Sequence, residues 1–97
     1  MTAGTFDTAV QRLIGQVNHW ETTRWRPHGD AVFALVQSLA DHAADAENRR
    51  RRPVPRLADT VLPDQLRVMA DDLLAASPSP EVLTTATEAV TTIRRAL

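Results

Sequence analysis

The sequence predicts a small all-α protein, an antiparallel bundle of about four helices. Apolar residues recur at steps of three and four along most of the chain, which is the spacing of one helix face. No stretch shows the strict alternation of apolar and polar residues that is typical of a half-buried strand. We expect residues 1–97 to form one domain, because chains of about 100 residues ordinarily build a single core.

The first helix is predicted from about Thr5 to Thr23. Pro27 disfavours helical geometry in the residue before it, so the helix should end at Arg26 or earlier. The stretch Arg24–Gly29 is then expected to be a loop. The apolar stripe of this helix consists of Phe6, Val10, Leu13, Ile14 and Val17.

The second helix is predicted to follow Asp30, whose carboxylate is suited to capping free backbone amides. The helix should fray near Asn48, where an Arg- and Pro-rich linker, residues 48–56, begins. Adjacent like charges and two prolines make this linker a poor helix. The apolar stripe of the second helix consists of Val32, Phe33, Leu35, Val36, Leu39, Ala43 and Ala46.

A short helical turn is expected over Leu57–Leu62, before the third helix. Pro63 fits the first position of that helix, because its missing N–H costs nothing there. Ser77 and Pro78 should end it. Its stripe consists of Leu62, Leu66, Met69 and Leu73.

The fourth helix has the clearest start, with Ser79 as the hydroxyl cap, Pro80 at the first position and Glu81 in the first turn. Arg94 and Arg95 in its last turn complement the helix dipole. Its predicted buried face consists of Val82, Ala86, Ala89, Val90, Ile93 and Leu97. The short linkers favour a bundle, and a three-helix core crossed by the fourth helix is the alternative.

Composition excludes several classes of protein. The chain has no cysteine, which excludes disulfides and thiolate metal sites. It has no apolar run of the roughly 20 residues that a membrane helix needs, and no basic-then-apolar signal pattern. We therefore expect a cytoplasmic protein without membrane contact.

The middle of the chain is basic although the net charge is only −1. Arg49, Arg50, Arg51 and Arg52 are consecutive, and Arg56 follows. Such a run indicates contact with phosphates, for which guanidinium groups are well suited. The near-neutral whole chain and the lack of a nucleic-acid-binding motif argue against this. The alternative is a solvated linker whose arginines pair with acidic helix faces.

Both tryptophans lie close together, Trp20 in the first predicted helix and Trp25 between Arg24 and Arg26. Aromatic and Arg side chains are frequent anchors of protein interfaces, so these four residues are candidates for partner binding. Alternatively, each indole covers one edge of the core. The core is the favoured interpretation for Trp20, and Trp25 is left open between the two.

The sequence contains no recognisable catalytic, metal or cofactor signature. His19, His28 and His42 are 9 and 14 residues apart, which is not the three- or four-residue spacing of helical zinc ligands. The three glycines are too scattered for a phosphate-binding loop. We therefore expect no enzyme activity, no metal and no cofactor.

These observations favour an interaction module that binds another protein, or a second copy of itself, through apolar helix faces. The alternative is binding of nucleic acid or another polyanion through the Arg49–Arg52 run.

Overall fold

The computed structural model describes residues 2–97 and contains five α-helices and one short 3-10 turn, with no strand in that range. The helices are α1 (Ala3–Val17), α2 (Thr22–Trp25), α3 (Gly29–Ala46), α4 (Leu62–Ala75) and α5 (Pro80–Ala96), and the 3-10 turn is Asp59–Val61. Each of the four long helices packs on two others: α1 and α3 both contact α4 and α5. The predicted helical bundle is confirmed.

The predicted first helix is two helices in the structure. α1 ends at Val17, and α2 begins only at Thr22. Residues five positions apart point about 140° apart on a continuous helix, so a single helix cannot bury both Trp20 and Trp25. The break after Val17 lets both indoles enter the core. The predicted loop at 24–29 is therefore only three residues long, from 26 to 28.

The second predicted helix is α3, with a different cap. His28 occupies the N-cap position and makes no side-chain capping bond, while Asp30 lies in the first turn. At the other end, Asn48 adopts a left-handed conformation with φ of 54°. The amide of Arg49 donates to the carbonyl of Ala44 at 2.8 Å, which is the closing bond of a Schellman motif. This motif ends α3 and reverses the chain.

After the Schellman motif the chain runs back along α3 as an extended segment, residues 49–58, which we call the strap. Gln37 of α3 binds its middle: its Oε1 accepts from the Val54 amide at 2.8 Å, and its Nε2 donates to the Arg52 carbonyl at 3.0 Å. Arg56, further along the strap, reaches Asp30 in the first turn of α3. Two prolines suit an extended segment, because proline fixes φ and needs no amide partner.

The strap determines the direction of α4. It carries the chain to the N-terminal end of α3, where the Asp59 side chain lies against Gly29. α4 therefore begins there and runs in the same direction as α3, and its later residues Met69 and Asp72 line one cavity with Ala43. The bundle is thus not antiparallel throughout, because a crossover connection makes these two neighbours parallel.

The predicted starts of the last two helices are close to those observed. Pro63 lies in the first turn of α4, and Ser79 caps α5 by accepting from the Val82 amide at 3.3 Å. The buried face of α5 is rotated from the prediction. Its buried positions are Leu83, Ala86, Thr87 and Val90. The Thr87 hydroxyl donates to the Leu83 carbonyl at 2.7 Å, so its burial leaves no unpaired donor.

Candidate functional site

Three of the five arginines proposed for polyanion binding are held by carboxylates. Arg49 pairs with Glu47 at 2.7 Å. Arg51 donates two hydrogen bonds to the Asp45 carboxylate, at 2.9 and 2.6 Å. These bonds hold the pKa of Asp45 below its ordinary value of 3.8 and raise the pKa of Arg51. The pairing with an acidic helix face, given as the alternative from the sequence, is thus present at Arg51.

Arg56 is also engaged, at the other end of the strap. Its guanidinium lies 3.1 Å from Asp30 and 2.9 Å from Asp59. The same group lies over the Phe33 ring, 4.9 Å from its centroid, in a cation–π arrangement. Arg56 therefore fastens the strap to the N-terminal end of α3.

Arg50 and Arg52 differ from these three. Within residues 2–97, neither side chain makes an ion pair. Both line a cavity of about 200 Å³ between the strap, α3 and α4. The other lining residues are Ala40, Ala43, Ala44, Arg49, Pro53, Val54, Pro55, Met69 and Asp72. The five arginines thus do not form one free basic patch, and only this pair remains available at the cavity.

The tryptophan segment proposed for partner binding is largely part of the core. Trp25 has no exposed surface and Trp20 is 6% exposed. The two rings pack edge to face with centroids 5.2 Å apart. Arg24 lies over the Trp20 ring at 4.8 Å, while Arg26 is exposed. The structure therefore assigns Trp25, which the sequence left open, to the core together with Trp20.

A second candidate site is an apolar groove on the surface where α3 and α5 meet. It has a volume of about 350 Å³ and is open to solvent. Seven residues line it: Ala31, Ala34, Leu35, Ser38, Ala89, Thr92 and Ile93. The groove was not predicted from the sequence, although the small residues Ala31, Ala34 and Ser38 flank the apolar stripe of α3 and are the signal for it. Small side chains leave room for another helix to approach closely.

The histidines do not converge on a site. Within residues 2–97 no group of three His, Cys, Asp or Glu side chains is close enough to hold a metal ion. His28 instead packs beside the Trp20 ring, with centroids 5.5 Å apart. In the same range no helix is both long and apolar enough to cross a membrane.

No family model, curated protein or solved structure matches this chain. The geometry of the chain itself offers two candidate sites, the arginine-lined cavity under the strap and the apolar groove between α3 and α5.

Proposed function

We propose that this protein is an interaction module that binds a second copy of itself through the groove between α3 and α5. The observation that carries the proposal is the apolar lining of that solvent-open groove. Exposed apolar surface with a polar rim is typical of sites that bind protein. The proposal assigns binding, not catalysis, to the chain.

Small side chains make the groove suitable for helix packing. Ala31 and Ala34 are exposed on α3, and Ala89 is half-buried on α5. Helices pack at separations of about 8–10 Å, and small residues allow the shorter distances. An α3–α5 pair from a second copy can therefore lie against this pair and complete an apolar contact between four helices.

The charges of α5 favour a second copy as the occupant. Glu81, Glu88 and Arg95 are exposed, are spaced seven residues apart and so lie on one side of the helix. None of them makes an ion pair within residues 2–97. If two copies of α5 pack antiparallel about a two-fold axis, Arg95 of each lies near Glu88 of the other. This row of charges is thus complementary to itself, as an isologous interface requires.

Sedimentation equilibrium of the full chain tests the proposal. The expected species is a dimer of twice the 10.7 kDa monomer mass. Ala34→Glu places a charge in the groove and should leave only monomer, because an unpaired charge in an interface costs several kcal/mol. Ala75→Glu is the matched control, since Ala75 is exposed on α4 outside the groove, and it should dimerise like the unmodified chain.

A charge-reversal series then tests the two-fold arrangement. Glu88→Arg and Arg95→Glu should each weaken dimerisation by about three- to tenfold, the size expected for exposed ion pairs repeated twice. The double variant should recover most of the loss. A chain that remains monomeric at about 1 mM, where even an association of ~4 kcal/mol is visible, overturns the proposal.

A further inference from the structure

The cavity under the strap combines an apolar floor with a cationic rim. Ala40, Ala43 and Ala44 of α3 line it together with Val54 of the strap and Met69 of α4. Three arginines of the strap, Arg49, Arg50 and Arg52, line it as well. This combination of an apolar surface with a few charged groups is typical of small-molecule sites.

Charge at the cavity favours an anion. The lining contains three arginines and one carboxylate, Asp72. Arg49 is already paired with Glu47, whereas Arg50 and Arg52 have no ion-pair partner within residues 2–97. Guanidinium groups bind carboxylate and phosphate through paired N–H donors. Two free guanidinium groups match a single anionic group.

The volume of the cavity limits the size of the apolar part of the ligand. A dry apolar cavity of about 150 Å³ accepts benzene, so the 200 Å³ here suits a body of similar or slightly larger size. A long polyanion fits less well, because Arg51 and Arg56 are held by carboxylates and few cations remain along the strap.

We propose that this cavity binds a small organic anion, a carboxylate or phosphate attached to a compact apolar body. The anionic group binds Arg50 and Arg52, and the body packs on Ala40 and Met69. The cavity shares no residue with the groove between α3 and α5. This inference is therefore independent of the proposed self-association, and either can fail alone.

Titration of the full chain with phenyl phosphate and with benzoate, followed by NMR and calorimetry, tests the inference. Saturable binding is expected, with amide shifts at residues 40, 50, 52 and 69. Inorganic phosphate lacks the apolar body, and benzyl alcohol lacks the anionic group. Each should therefore bind at least tenfold more weakly. Equal binding of phenyl phosphate and inorganic phosphate, or no binding of either aromatic anion, overturns the inference.

Substitutions test the arginines at the rim of the cavity separately from the apolar residues at its floor. Arg50→Gln and Arg52→Gln should each weaken phenyl phosphate binding about tenfold, and Arg51→Gln is the control from the same strap that does not line the cavity. Ala40→Leu should fill the floor and abolish binding. Asp72→Asn leaves the side-chain volume almost unchanged and removes a negative charge that repels the anionic ligand. It should therefore strengthen phenyl phosphate binding about threefold. Unchanged affinity in Arg50→Gln and Arg52→Gln, or weaker binding in Asp72→Asn, contradicts an anion site.

Discussion

At the scale of single residues, two helical glycines illustrate how surroundings decide the effect of one methyl group. Apart from its two chain neighbours and the adjacent backbone of its own helix, no atom of residues 2–97 lies within 4 Å of the position that a Cβ would take at Gly15 in α1. At Gly29 a Cβ would lie 2.6 Å from the Asp59 Cγ and 2.7 Å from its Oδ2. Asp59 cannot move away freely, because its carboxylate pairs with Arg56 at 2.9 Å.

We expect Gly15→Ala to raise the free energy of unfolding by about 1 kcal/mol, since alanine is the better helix former. Gly29→Ala should lower the free energy of unfolding by about 1 kcal/mol. The overlap of the added methyl group with the Asp59 side chain costs more than the better helix propensity of alanine contributes. Chemical denaturation measures both. In an Asp59→Ala background Gly29→Ala should no longer destabilise, and a persistent loss there would show that the carboxylate is not the cause.

At the scale of elements, the strap depends on Gln37 more than on any arginine. Its side-chain amide donates to the Arg52 carbonyl and accepts from the Val54 N–H. The backbone of a neighbouring strand would pair with the strap in the same way. Arginine ion pairs on the surface contribute little, about 0–1 kcal/mol each. A half-buried backbone amide left without a partner costs more.

Gln37→Met keeps the length of the side chain and removes both hydrogen bonds to the strap, together with the bond that Gln37 donates to the Asp41 carboxylate. The expected loss of stability is about 1–3 kcal/mol, with faster hydrogen exchange at the Val54 amide. Gln11→Met is the matched control, because Gln11 is exposed and bonds only the Asp7 carboxylate. Equal losses in the two variants would show that Gln37 does not hold the strap.

At the scale of the whole molecule, the length of the strap decides whether α4 can run parallel to α3. α3 has 18 residues and so spans about 27 Å. The strap, residues 49–58, reaches about 33 Å when extended, but six residues reach only about 20 Å. The chain must cover the full length of α3 before α4 begins.

Deletion of residues 50–53 should therefore prevent the native bundle from forming. We expect loss of cooperative thermal unfolding and of dispersed NMR amide signals. Replacing the same four residues by Gly and Ser keeps the length and should retain the fold with lower stability. A deletion variant that unfolds cooperatively at an unchanged temperature contradicts the crossover role of the strap.

Local signals account for the parts of the fold that the sequence predicted. The Ser79-Pro80-Glu81 start of α5 was predicted because a cap, a proline and an acid act within one turn. The division between α1 and α2 was not predicted, because it depends on where two distant indoles find room in the core. The five arginines were chosen as candidates from the sequence, with pairing to acidic helix faces as the alternative, but which arginines pair and with which carboxylates was not predicted.

The sequence by itself determined an all-α chain of apolar-striped helices with an arginine- and proline-rich break, because helix periodicity and proline geometry act within a few residues. Only the tertiary structure decided that this break lies along α3, that Arg50 and Arg52 make no ion pair within residues 2–97 beside a cavity, and that α3 and α5 leave an apolar groove. These features depend on contacts between residues distant in the chain, such as Gln37 with Val54 and Arg56 with Asp30. Such contacts follow from how the helices pack, which spacing along the sequence does not specify.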